Sequence, residues 1–415
     1  EIAARAGYPY VDMRRHIISR YPLFDSGIGE RTEESNPPYS IAGVGDNAVH
    51  AWALISPGLG IAIANTHLSS DPYGPELVRD GKTLEEVLDN ETATRMTEAK
   101  ALVDGLGPIA RKGVPVFLTA PSWRDWTESA ARSRPAVRYV VDWPVSRLME
   151  KAGLVDSFRA VYPDPVAVPG LTWTPGYPYP YVKATETHDR IDYVFAANAT
   201  AIDSAVVGET NNNAVKIPVA HWPSDHRAVV STFDVIPIAA PALIAVEPSL
   251  VAEGKAFVIR VNSPDQADWG AVVVPRGGNA AKDALTGITG VSASDRTTIK
   301  LSTIGLAAGR YDAVMIDAAG KELARTRFSI VAADEKARLS MMSSGIPGGG
   351  DIVANWTGAP GYRFDWIGIY RRGETNVYNY LYFAYTGARR EGRMTISAAD
   401  VGEQLKPGDY ELRLL

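Results

Sequence analysis

Residues 222–235 read WPSDHRAVVSTFDV, so that a polar cluster, Ser224-Asp225-His226, directly precedes a strand-like run that begins at Arg227. Serine and aspartate ahead of a strand often do no more than cap a turn. The cluster therefore indicates chemistry only if other polar groups accompany it at the edges of neighbouring strands.

Two further polar clusters lie at the edges of predicted strands. Asn65-Thr66-His67 falls near the end of the apolar run 59–68, and Thr187-His188-Asp189 precedes the run RIDYVFA at 190–196. Loops at strand edges are where rigid sheets commonly assemble catalytic and binding residues. We therefore expect the three clusters to contribute to one site.

The first 235 residues have the pattern of an α/β domain. An apolar stripe over 84–112 predicts a helix that ends at Gly113, and VPVFL at 114–118 predicts the next buried strand. Strands that alternate with helices and long irregular loops are typical of layered sheets.

Composition sets outer limits on the function. The 415 residues are enough for two or three domains, and a net charge of −6 argues against a dedicated nucleic-acid binder. The chain has no cysteine, which excludes disulfides and thiolate catalysis. All six histidines precede residue 230, so imidazole chemistry is confined to the first part.

The last part of the chain predicts two tandem β-sandwiches after a Pro/Ala linker at 236–242. ADWGAVV at 267–273 matches FDWIGIY at 364–370, and LAAGRYD at 306–312 matches LKPGDYE at 405–411. Each separation is about a hundred residues, the length of an immunoglobulin-like sandwich. The predicted domains are one α/β domain and two sandwiches, at 1–236, 243–333 and 336–415.

In this order, NTHL, THDRIDY and SDHR resemble motifs of the endonuclease/exonuclease/phosphatase superfamily. Its members are metal-dependent phosphoesterases, including pancreatic deoxyribonuclease, neutral sphingomyelinases and inositol polyphosphate 5-phosphatases. HIISRYP at 16–22 is similar to a further strand of the family, and LTWTPGYPYPYV at 171–182 is most similar to its bacterial sphingomyelinase-like branch. The DWIGIY motif is similar to the SKICH-like sandwich of some inositol phosphatases.

The resemblance implies the architecture of the chain. The first domain would be an α/β four-layer sandwich, in which helices flank two packed β-sheets. Two all-β immunoglobulin-like sandwiches would follow it.

The resemblance also implies roles in acid–base catalysis. His226 would act as the general base for water or as a donor to the phosphate, and Asp192 or Asp189 would orient its ring. His67 would donate to the phosphate or to the leaving oxygen, and Asn65 would shape the same loop. A structural pairing of Asp192 with the neighbouring arginine or with backbone is the alternative interpretation.

A divalent metal is the implied cofactor. Asp225 and His226 would hold it or the attacking water, and hard oxygen ligands favour Mg²⁺ first and Mn²⁺ or Ca²⁺ next. The family's Asn-bearing and Gln-Glu strands have no counterpart here, and Thr119 runs directly into APSWRDW where the family carries Gly-Asp-Phe-Asn. The favoured interpretation is that the sequence omits residues of the natural protein, and the alternative is a defective relative. As it stands, the chain is expected to hold metal poorly.

The predicted function is metal-dependent hydrolysis of a phosphodiester, with a phospholipid head group as the first candidate. The alternatives are a metal-dependent nuclease and a catalytically defective protein that binds phosphate or a membrane. Besides a phosphate-ester substrate, the aromatic-rich last sandwich predicts a cross-strand aromatic cluster or a contact with a membrane surface or glycan, whereas nucleic acid is less favoured. The absence of cysteine fits a secreted or periplasmic bacterial protein.

Overall fold

The computed structural model describes two compact units, one that ends at Pro241 and one that runs from Ala242 to Leu415. Strands dominate both units, and the seven helices of the described residues all lie in the first. The described residues are 2–12, 15–25, 50–121, 125–134, 136–176, 180–182, 184–264, 267–292, 297–342, 345–361, 365–377, 379–387, 389–397, 401 and 405–415.

The helices of the first unit are short. They are α1 (Ile2–Arg5), α2 (Gly74–Arg79), α3 (Leu84–Thr94), α4 (Met96–Ala110), α5 (Glu128–Ser133), α6 (Pro144–Lys151) and α7 (Ser157–Val161). Among the helices that the structure describes, none combines the length and the apolar character that a membrane-spanning helix needs.

Twelve strands of the first unit build one large and two small sheets. They are β1 (Tyr10–Asp12), β2 (Ile17–Ser19), β3 (Leu23–Asp25), β4 (Ala51–Ser56), β5 (Leu59–Asn65), β6 (Val116–Pro121), β7 (Val155–Asp156), β8 (Asp192–Ala197), β9 (Thr200–Glu209), β10 (Ile217–Val219), β11 (Ala228–Asp234) and β12 (Ile238–Ala239). The large sheet has the order β3-β4-β5-β6-β8-β7, with β12 beside β5, and the small sheets are β1-β2 and β10-β9-β11.

Aromatic side chains join the large sheet to the sheet that contains β11. The ring centroids of Phe117 on β6 and Phe233 on β11 lie 4.9 Å apart in an edge-on contact. On the β9 strand of that sheet, Val206 packs with Phe158 of α7 in a separate buried cluster. The face of β6 that carries Phe117 is therefore turned toward β11. The candidate site lies further along this face, at the end of β6.

The predicted helix over 84–112 consists of two helices, α3 and α4, that meet at Arg95. The Arg95 side chain is 1% exposed and donates to the backbone oxygens of Ser69 and Pro72. Thr83 begins α3 with a capping box to Glu86, a pattern that is readable in the sequence. The break at Arg95 is a tertiary feature, because both of these carbonyl partners lie in the loop after β5.

The segment 236–242 is not a plain linker. Ile238 pairs with Gly60 in an antiparallel bridge between β12 and β5, and the N–H of Ala240 donates to the carbonyl of Gly58. The β6 strand begins to pair with β5 only at Ala62, so the first residues of β5 have an open side. The chain fills that side before it leaves the first unit.

The second unit is formed mainly by strands. Its strands are β13 (Leu243–Glu247), β14 (Leu250–Ala252), β15 (Ala256–Asn262), β16 (Trp269–Pro275), β17 (Thr286–Val291), β18 (Thr298–Ser302), β19 (Gly309–Asp317), β20 (Glu322–Val331), β21 (Arg338–Met341), β22 (Ile352–Thr357), β23 (Trp366–Arg371), β24 (Tyr382–Tyr385), β25 (Gly392–Ile396) and β26 (Tyr410–Leu414). They form the sheets β13-β15-β18, β14-β20-β19-β16-β17, β21-β22-β25 and β24-β23-β26.

The repeat seen in the sequence has a structural counterpart in two tyrosines. The hydroxyl of Tyr311 donates to the carbonyl of Ala307 at 2.7 Å, and that of Tyr410 donates to the carbonyl of Lys406. A tyrosine that bonds back to the chain a few residues upstream is a device of immunoglobulin-like sandwiches. The immunoglobulin-like assignment and the boundaries at 333 and 336 stay predictions.

The two tryptophans of the repeat lie in different surroundings. Trp269 is 1% exposed and belongs to a core cluster, whereas Trp366 contacts Tyr380 and Phe383 edge-on, with centroids 5.4 Å apart in both cases. A side chain at Gly368 would collide with the ring of Trp366. The aromatic residues of this last part therefore pack against one another. Phe364, the first residue of FDWIGIY, and Tyr378 lie outside the described residues.

Candidate active site

Strand register brings Asn65, Thr119 and Asp192 to one end of the large sheet. Asn65 on β5 pairs with Thr119 on β6, and Pro121 of the same strand pairs with Asp192, the first residue of β8. Side chains two positions apart on a strand share a face, so Thr119 lies on the same face as Phe117, which is turned toward β11. Asn65 of the first cluster and Asp192 of the run RIDYVFA thus lie at the same end of the sheet, on the two strands that flank β6.

His226 and Asp192 are in direct contact. The imidazole Nδ1 lies 3.0 Å from a carboxylate oxygen of Asp192, and each side chain is 36% exposed. A neutral ring that donates Nδ1–H to the carboxylate keeps its lone pair on Nε2. The pair is therefore arranged as an imidazole whose tautomer and orientation are held by a carboxylate, with solvent still able to reach it.

The surroundings of His226 raise the pKa of its imidazole. Burial acts in the opposite direction, because it disfavours the charged ring. The hydrogen bond to Asp192 and its charge outweigh this effect, and the charge of Asp225 adds to them. The protonated ring is therefore retained to higher pH than for an ordinary histidine, so the group can donate a proton as well as accept one.

Trp173 forms one side of the histidine site. Its ring lies edge-on to the imidazole of His226, with centroids 4.8 Å apart and an interplanar angle of 63°. The indole N–H donates to Glu186 at 3.0 Å, which fixes the ring's rotation. Trp173 is thus placed as a wall of the histidine site, and residues 177–179 of the same loop lie outside the described residues.

The turn that carries His226 is braced on several sides. The hydroxyl of Thr174 donates to the carbonyl of Asp225, and the indole N–H of Trp222 donates to the carbonyl of His226 at 2.7 Å. Ser224 accepts from the N–H of His226 at 3.1 Å, which is the turn-capping role expected of a serine there. The polar cluster before β11 thus combines a capping function with the histidine contact.

Asp189 has partners other than His226. Its side chain is buried, and it accepts hydrogen bonds from Tyr73, Trp126 and Arg134 at 3.1–3.3 Å. Burial raises the pKa of this carboxyl to about 6 against the opposing effect of the Arg134 charge and the three hydrogen bonds. Of the two carboxylates considered for orienting His226, Asp192 is the one in contact with it.

Arg190 does not form the ion pair with Asp192 that was the alternative interpretation of this aspartate. Its guanidinium is buried and binds Asp125 and Asp156 at 2.6–3.2 Å. Arg159 donates to the same Asp125 carboxylate at 2.9 and 3.0 Å. This buried network anchors Arg190, two residues before the strand that begins at Asp192. The sequence offered no pattern for it, because the two aspartates come from distant segments. Residues 122–124, in the altered motif before Asp125, lie outside the described residues.

The first cluster is held by backbone and by side chains. Asn65 donates to the carbonyl of Arg15 at 2.9 Å and accepts from the hydroxyl of Thr119. His67 is exposed on the loop that follows. Two residues later Ser69 donates through its N–H and its hydroxyl to Glu98 on α4, at 2.8 Å in both cases. Sequence reasoning missed Thr119, which strand pairing alone places next to Asn65.

The described residues do not provide a metal-binding cluster. Asp225 is half-buried beside His226, yet no group of three or more His, Asp or Glu side chains in the described part of the chain is placed to hold a metal ion. Asp192, the other nearby carboxylate, is engaged with the imidazole. The residues described therefore do not fit a Mg²⁺ site.

No protein-family model matches the chain. An uncharacterized protein of Caenorhabditis elegans is 26% identical over 252 residues, which cover 55% of this chain and 76% of that protein.

Two solved structures are similar over part of the chain. An endonuclease/exonuclease/phosphatase from Beutenbergia cavernae is 19% identical with a TM-score of 0.30, over 75% of this chain and 74% of that chain. The 3′ phosphatase NExo from Neisseria, bound to product DNA hairpin, is 17% identical with a TM-score of 0.29, over 52% of this chain and 73% of that chain. The first bears the name of the superfamily that the motifs resemble.

Proposed function

We propose that the first unit is a phosphoesterase that hydrolyses a phosphodiester with water, and that His226 is its acid–base group. The observation that carries the proposal is the 3.0 Å contact between His226 Nδ1 and Asp192. A histidine held in one tautomer by a carboxylate is the arrangement that proton transfer in ester hydrolysis needs. The resemblance of NTHL, RIDY and SDHR to phosphoesterase motifs supports the choice of phosphorus over carbon as the reacting centre.

The reaction is a displacement at phosphorus in which the water oxygen forms a bond as the bond to the leaving oxygen breaks. Nε2 of His226 accepts the proton of the attacking water, while Asp192 accepts Nδ1–H and stabilises the imidazolium that forms. His67, exposed on the loop after β5, donates to the leaving oxygen, and the imidazolium of His226 returns its proton to solvent. Asn65 and Thr119 hold the edge of the sheet against which the ester would lie.

The finer assignments rest on sequence alone. A phospholipid head group is the proposed substrate class, because the net charge of −6 disfavours a polyanionic nucleic acid. The resemblance supports a four-layer first unit, and the internal repeat and the DWIGIY motif support tandem immunoglobulin-like sandwiches that contact a membrane or glycan. The resemblance also implies activation by Mg²⁺, or by Mn²⁺ or Ca²⁺, for which the described residues offer no cluster of ligands. The absence of cysteine supports an origin as a secreted or periplasmic protein.

The test is turnover of bis-p-nitrophenyl phosphate by the chain and its variants, assayed with Mg²⁺, Mn²⁺ and Ca²⁺ in turn. His226→Ala is expected to lower kcat by about 10²- to 10⁴-fold, because it removes the acid–base group. Asp192→Asn is expected to lower it as well, since the amide cannot stabilise an imidazolium. The matched control is Asp203→Asn. Asp203 lies on β9 and forms an exposed ion pair with Lys216, so this variant should leave kcat unchanged.

Three results would count against the proposal. Absence of turnover with every metal and with phospholipid vesicles would contradict an enzymatic role for this chain. Salt-sensitive cleavage of DNA in preference to the small diester would favour the nuclease alternative. Equal activity of His226→Ala and the unaltered chain would remove His226 from the mechanism.

A further inference from the structure

We infer that Thr172 is a positioning residue that holds Asp192 and His226 in register with each other. This inference rests on the proposed function only for the claim that the pair is catalytic. The Thr172 side chain is completely buried. The segment 171–182 resembled a family motif, but no role for Thr172 itself followed from the sequence.

The hydroxyl of Thr172 serves the strand that carries Asp192. Its Oγ1 accepts the backbone N–H groups of Ile191 and Asp192, each at 3.0 Å. At the start of β8 a buried hydroxyl therefore supplies the acceptor for two successive backbone N–H groups.

The backbone of Thr172 serves the turn that carries His226. Its carbonyl accepts the N–H of Arg227 at 2.8 Å, and its own N–H donates to the carbonyl of Asp189 at 3.0 Å. The next residue, Trp173, forms isolated β-bridges with both Asp189 and His226. Thr172 thus hydrogen-bonds to the backbone of Asp192 and to that of Arg227, the residue after His226. These two residues are 35 positions apart in the sequence.

These contacts form a closed ring. It runs from the Thr172 hydroxyl to the backbone of Asp192, through the Asp192 carboxylate to His226, and from the following N–H back to the Thr172 carbonyl. Two half-exposed side chains would lose their alignment if either backbone shifted by a fraction of an ångström. Buried hydrogen bonds to the backbone hold an orienting carboxylate in place.

Three variants of the full chain separate this role from general packing. Thr172→Val keeps the shape and removes the hydroxyl, whereas Thr172→Ser keeps the hydroxyl. Thr187→Val is the matched control, because the Thr187 hydroxyl is also buried but has no hydrogen-bond partner in the part of the chain described.

The readout is the far-downfield proton resonance of the His226 Nδ1–H in ¹⁵N-histidine-labelled protein, assigned by its loss in His226→Ala. The resonance is expected to persist in Thr172→Ser and Thr187→Val. It is expected to disappear or move upfield in Thr172→Val while that variant still unfolds cooperatively. An unchanged resonance in Thr172→Val would overturn the inference.

Two further measurements cover the remaining cases. If Thr172→Val does not fold, amide exchange in the unaltered chain decides: the N–H groups of Ile191 and Asp192 should exchange as slowly as that of Val194, and fast exchange would overturn the inference. In the diester assay, Thr172→Val should lower kcat about 10- to 100-fold with KM unchanged. A lost resonance in a chain that never hydrolyses a diester would support the positioning role and count against the proposed function alone.

Discussion

Asp189 and Asp192 are three positions apart, yet the two carboxylates have different partners. Asp189 enters a buried site with Trp126 and Arg134, and Asp192 meets His226 at the open edge. The sequence offered both as partners of His226, and only the packing around β8 separates them.

The buried position of Asp189 leads to a prediction about stability and pH. Its pKa is about 6 in the fold and 3.8 in the unfolded chain, so the folded state retains the proton over that interval. Stability must then fall as the pH rises from about 4 to about 6, by up to about 3 kcal/mol from this group. Asp189→Asn lacks this contribution, and urea unfolding at a series of pH values measures the difference between the two proteins.

A matched control for Asp189→Asn is Asp203→Asn. The hydrogen bond from Lys216 lowers the pKa of Asp203, so its contribution has the opposite sign and is lost as the pH falls. If the difference between Asp189→Asn and the unaltered chain were independent of pH, the carboxyl of Asp189 would not be the raised group that its burial indicates.

Among the elements, α4 fixes the loop that carries His67. Glu98 on α4 accepts the N–H and the hydroxyl of Ser69, and Arg95 at the start of the helix donates to the carbonyl of Ser69. The apolar stripe predicted one continuous helix over 84–112. The N-terminal end of α4 lies within it and also holds this loop by hydrogen bonds. The apolar periodicity could predict its buried face but not which loop its polar residues would meet.

Glu98→Ala is expected to release this loop without unfolding the helix. The N–H of Ser69 would lose its acceptor, so amide exchange over 69–73 should rise, and the local cost should be about 1–3 kcal/mol. The control is Asp104→Ala on the same helix, where an exposed ion pair with Lys100 is removed. Equal exchange in the two variants would show that the loop is held by other contacts.

At the scale of the whole molecule, the chain crosses between its two units next to β12. The short pairing of Ile238 and Ala239 with the start of β5 belongs to the first unit, although the prolines around it read as a linker. Proline at a strand edge leaves the intervening residues able to pair.

Fragments of the chain test this boundary. A fragment that ends at residue 241 keeps β12, whereas one that ends at 236 exposes the open side of β5. We expect the longer fragment to unfold at a higher urea concentration, with the same secondary structure by circular dichroism. Identical midpoints would mean that β12 adds nothing to the first unit and that the linker begins at 236, as the sequence suggested.

The sequence by itself determined four strands of the first unit, at 59–68, 114–118, 190–196 and 227–235, the three polar clusters at their edges and the tyrosine repeat, because these depend on patterns within a few neighbouring residues. Only the tertiary structure decided that Asp192 meets His226, that Asp125 and Asp156 enclose Arg190, and that Thr172 joins two distant turns. Such contacts depend on strand register and on which face each side chain takes in a layered fold. A local pattern does not contain that information, because the energy of each contact is realised only when segments far apart in sequence are packed together.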